Sequence, residues 1–171
     1  MTETQPPPAT TEPEAGCSAV ELHVILSDQG LPEAVAEVRQ RIFDAALACD
    51  YDTLERIAEE KGEGFTFSYG SETDASEHWR SAEERSEETP KPMRALATIL
   101  TMPFSRNESG SYAWPTAYSE RPTEAAWEAL VVSGLYTREQ VELMQAQNTG
   151  YLGYRTAITA DGDWQFFVAG D

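Results

Sequence analysis

Histidine and cysteine are scarce in this chain, with two of each among 171 residues, and basic residues are few, 12 against 30 acidic ones. Each shortage excludes something. Two cysteines are too few for a disulfide scaffold, and no CxxC, HExxH or calcium-loop pattern occurs, so neither a zinc centre nor a calcium loop is expected. His23 falls on an expected strand. His78 has Asp74 and Glu77 close in sequence, a proximity that an acid-rich segment produces by composition alone. No metal and no cofactor is expected. The formal net charge of -18 excludes nucleic acid, whose binding rests on basic contacts and counterion release, and disfavours anionic membrane surfaces. No apolar run approaches the length needed to cross a bilayer, so direct membrane insertion is not expected.

Nucleophile motifs are missing too. No GxSxG elbow introduces a serine, and Gly62, Gly64 and Gly70 do not have the spacing of a phosphate cradle. Carboxylates are so abundant that an acid–base pair could be drawn almost anywhere, which makes their number uninformative. The balance favours a protein that is not an enzyme.

What is present is unevenly distributed. Residues 1–90 hold 21 of the 30 acids, and residues 71–90 alone hold seven against two arginines. Glu83, Glu84, Glu87 and Glu88 mark this stretch as a candidate acidic surface for a basic partner. Residues 1–17, rich in Pro, Thr and Glu, read as a flexible tail ahead of a single domain over 18–171, with an acidic insert at 71–90. Cys17 and Cys49 either pair, tying the end of the tail to the first helix in an exported protein, or stand as two thiols. No apolar signal core is visible, which reads as cytoplasmic for the chain as written, or extracytoplasmic where an upstream signal or anchor has been removed.

Hydrophobic spacing predicts the elements. Val20, Leu22, Val24 and Leu26 alternate as a strand. Val35, Val38, Ile42, Ala45 and Cys49 form a helical stripe, and Leu54, Ile57 and Ala58 a second. "FTFSYG" at 65–70 reads as a short strand. The segment around 75–85 reads as a solvated helix or a loop. Residues 91–104 predict a helix ended by Pro103, and 110–114 a strand. Two more helices follow, the second with the capping-box pair Thr137 and Gln140. Asp161-Gly162, between alternating runs, predicts a closing β-hairpin with a type I′ turn. The fold class is therefore α+β, an antiparallel sheet packed against several helices.

Aromatic residues crowd the second half. Tyr112, Trp114, Tyr118, Tyr154, Trp164 and Phe166, with Arg155, are the candidates for a ligand pocket or an interface, because such rings pair an apolar face with a polar edge. The same rings serve equally well as the core of a small domain.

Two resemblances bear on these readings. "ALACDYDTLERIA", followed by "GFTFSYG", resembles the opening of NTF2-like or SnoaL-like (cystatin-like) domains, in which a helix pair runs into the first strand. "FSYG", "MPF", "YAWP" and the terminal "YLGYRTAITADGDWQFFVAGD" together resemble a group of uncharacterised actinobacterial proteins and lipoproteins across roughly residues 33–171. The second resemblance implies export or tethering in some relatives and no transferable substrate. The expectation is a protein- or small-ligand-binding module. Its alternatives are a small enzyme with a pocket between helices and sheet, and an acidic module for a basic protein.

Overall fold

The computed structural model describes residues 16–60, 64–85 and 90–170. Its centre is a helix, α4 (Pro92–Leu100), in which only Arg94 escapes full burial. A helix apolar on every side has to sit inside the protein. Around it pack α1 (Glu33–Leu47) and α3 (Ala75–Glu84), while α2 (Tyr51–Glu59) packs on α1 and α3. The α1 stripe behaves as its spacing predicts, with Val35, Val38, Ile42 and Ala45 buried. Cys49 lies just beyond the helix end, in a left-handed turn at φ 50°.

The sheet is an antiparallel meander, β1 (Ser105–Arg106), β2 (Tyr112–Trp114), β3 (Arg155–Ile158) and β4 (Trp164–Val168), paired in that order. Between β2 and β3 the chain forms α5 (Glu124–Val132) and α6 (Arg138–Ala146). Both the Thr137 side chain and the Gln140 side chain make their capping-box bonds. All residues of β2 and β3 are buried, so the sheet has helices or connecting chain over both faces. The protein is an α+β fold, as its pattern predicts.

Four local expectations change. The alternating run at 20–26 finds no partner strand and crosses the surface outside regular secondary structure. Its Leu22, Val24 and Leu26 still turn inward against the core, while Val20 and Ile25 face solvent. The run at 65–69 contributes a single parallel bridge, Thr66 to Phe166, on the outer edge of β4. Of its two readings the acidic segment takes the helix, but not a solvated one, because Trp79 and Ala82 anchor it to the core. The final turn is not type I′, which needs positive φ at both central residues. Here Gly162 alone has it, at 86°, and its N–H closes the turn on the Thr159 carbonyl. A Cβ at Gly162 would also press on the Ala34 carbonyl, so the glycine is required twice over. Of the tail expected at 1–17, residues 1–15 lie outside the described residues, as do Gly62, Glu87 and Glu88. Packing begins at Cys17, which is buried.

Candidate functional site

Three of the six aromatic candidates, Trp164, Trp114 and Tyr112, are buried in the core. Trp164 is buried and stacks on Trp79, with centroids 5.9 Å apart. Its indole N–H donates to Thr156 Oγ1 at 2.7 Å, and that hydroxyl donates to the Phe166 carbonyl. Phe65 and Phe167 close the same cluster. Trp114 and Tyr112 pack with Phe104, further along the same face of the sheet. The interior is thus filled by the rings that a ligand would have needed.

Tyr118, Phe166 and Arg155 form a different group, whereas the Tyr154 ring stacks on Phe167 with centroids 5.0 Å apart. Arg155 is 6% exposed. Its guanidinium donates to the carbonyls of Gly153 and Gly170 and to the Tyr69 hydroxyl at 3.1 Å, and lies 5.2 Å from the centre of the Tyr118 ring. Phe166 meets Tyr118 edge-on. Among the described residues no carboxylate pairs with Arg155.

Around Tyr154 the surface is concave. One hollow of about 290 Å³ is lined by Phe67, Tyr69, His78, Trp79, Tyr154 and Phe167 among others. An adjoining one of about 310 Å³ includes Tyr136, Leu143, Met144, Leu152 and Tyr154. They share Tyr154 and Ala169 and make one open groove between α3, α6 and the end of β4. Tyr69 is 57% exposed and Leu143 equally so. Both were absent from the candidates drawn from sequence. Tyr69 sits in the "FTFSYG" run, whose alternation pointed to a strand and gave no sign that Arg155 would hold its hydroxyl.

The wall of the groove is stiffened by two more tyrosines. Tyr151 donates its hydroxyl proton to the Tyr154 carbonyl at 2.6 Å, and the Tyr136 hydroxyl accepts the Tyr154 N–H at 2.8 Å. Burial pushes both hydroxyls above the ordinary phenol pKa, Tyr151 well above it, while the Arg155 charge pulls the other way. Gly153 leaves the space these hydroxyls occupy, since a Cβ there would overlap both.

The acidic candidates divide. Glu84 is exposed. Glu83 is no surface group: it is 3% exposed, and its carboxylate accepts the Ser18 N–H, the Ser18 hydroxyl and the Met93 N–H at 2.7–2.9 Å. It caps α4. Among the described residues no group of His, Cys, Asp and Glu is disposed to hold a metal, and no helix there is long and apolar enough to cross a membrane. Cys17 and Cys49 form a disulfide, with Cα atoms 5.8 Å apart. No protein-family model matches the chain, nor does any curated protein or solved structure.

Proposed function

We propose that this protein is a non-enzymatic binding module and that its binding face is the groove on either side of Tyr154, occupied by an apolar segment of a partner protein. One observation carries the reading. Tyr69 presents a largely exposed ring while its hydroxyl is tied to the buried Arg155. An aromatic fixed before binding loses little side-chain freedom on contact, which is what gives Tyr its weight at interfaces. The neighbouring Leu143 and Met144 extend the apolar lining. The openness of the groove and the filled interior favour a peptide or protein surface over an enclosed small molecule. The two resemblances drawn from the sequence leave this reading open, because such domains host many functions.

Peptides selected from a random displayed library against the wild-type protein provide the probe. Selected peptides should perturb the NMR signals of Tyr69, Leu143 and Tyr154. Failure to select any, or perturbations centred on the exposed Val132 of α5 instead, would contradict the reading.

A further inference from the structure

Residues 17–31 form a strap that belongs to no sheet or helix, and side chains rather than backbone ladders hold it down. At one end Cys17 is bonded to Cys49 at the exit of α1. The next residue, Ser18, gives its N–H and hydroxyl to Glu83, and its oxygen accepts the Arg94 N–H at 3.0 Å. At the other end the Ser27 carbonyl accepts from Arg39. Gln29 donates to the Met102 carbonyl and accepts the Trp114 indole N–H at 3.3 Å. Between these pins Ala19 is buried, and Leu22, Val24 and Leu26 turn inward half-buried.

The two pinned ends lie at the two ends of α4. A helix terminus leaves backbone groups unpaired and carries partial charge, positive at the start and negative at the finish. Glu83 serves the first and Arg39 the second, where its Nε and Nη2 both donate to the Leu100 carbonyl. Each cap has contacts that involve the strap and contacts that do not. Without the strap, Glu83 keeps the Met93 N–H and Arg39 keeps Leu100. The strap can therefore leave while the central helix stays capped at both ends.

We propose that Cys17–Cys49 is a redox lock on this strap: oxidised, it seats residues 17–31 over α1 and α4, and reduced, it frees them while the rest of the fold persists. In the opening step a dithiol gives two electrons and two protons to the disulfide. The bond between the two sulfurs breaks, Cys17 and Cys49 become thiols, and the dithiol closes to its own disulfide. The seated form then belongs to an oxidising compartment. Both sulfurs are buried, at 4% and 1% residue exposure, so reduction has to follow a local opening of the strap.

Hydrogen exchange by NMR on the full chain, with and without dithiothreitol, tests this. The reporters are N–H groups whose partners the strap supplies or receives: the Ser18 amide, the Arg94 amide and the Trp114 indole. Reduction should speed their exchange at least ~10-fold, while the Phe167 amide, bonded to Thr66 within the sheet region, keeps its protection. A Cys17→Ser/Cys49→Ser double variant should show the fast rates without reductant and ignore dithiothreitol. Unchanged reporters on reduction would overturn the lock. Equal loss of protection at Phe167 would overturn it too, by showing a staple for the whole domain, as would two free thiols counted in the unreduced protein.

Discussion

At the scale of single residues, the tightest constraint lies where Tyr136 and Tyr151 clasp the backbone of Tyr154. Both rings are buried and both hydroxyls are hydrogen-bonded to that residue, so neither yields space cheaply. Gly153→Ala should cost about 1–3 kcal/mol, the usual range for overpacking a filled interior, read as a lowered urea midpoint with unchanged slope. The same pair sets an alkaline limit. Their folded pKa values are raised by burial, so the unfolded chain gives up these protons first as pH rises. Their contribution is complete below the unfolded value of about 10 and is lost as pH climbs through the folded values. Stability measured by denaturant should therefore fall above about pH 10, and Tyr136→Phe should flatten that fall. A fall of the same steepness in Tyr136→Phe would show that other groups cause it.

Among the elements, α4 decides the most, because a buried helix must have both ends satisfied inside the protein. Glu83→Gln replaces one acceptor oxygen with a donor facing N–H or O–H groups. It should destabilise by about 1–3 kcal/mol, the cost of leaving a buried donor unsatisfied. Glu84→Gln, one residue on and exposed, should stay within about 0.5 kcal/mol. Equal effects by chemical denaturation would mean that Glu83 is not the cap. This contrast also shows where the sequence stops being readable. Glu83 and Glu84 are indistinguishable as letters in a run of acids, and only the arrival of the α4 N-terminus beside one of them separates their roles. The stripe of α1 and the Thr137–Gln140 capping box were legible, because local spacing alone specifies them. The run at 20–26 was half legible. Its alternation chose Leu22, Val24 and Leu26 as inward side chains but misplaced Val20, which faces solvent, and pairing needs a second strand, which no described residues place beside it.

For the molecule as a whole, the acidic composition contrasts with the placement of its charges. Arg39 and Arg155 are both buried, and both spend most of their donors on main-chain carbonyls rather than on any carboxylate among the described residues. Burial lowers the Arg39 pKa, with Asp28 acting against the shift. A guanidinium suits this use because its donors fan out in a rigid plane. The aromatic richness of the second half was plain in the sequence, but which rings would be core was not. Trp164, Trp114 and Tyr112 went inside, and the exposed ring proved to be Tyr69, from outside that half. Tyr69 is accordingly where the binding account is most directly tested. The dissociation constant of one groove-directed peptide should be measured by calorimetry for the wild type, Tyr69→Phe and Tyr69→Ala. Removing the ring should weaken binding ~10-fold or more, the loss expected at an interface anchor. Removing only the hydroxyl should cost less, because the ring remains but is no longer held by Arg155. Wild-type affinity in Tyr69→Ala would contradict the account.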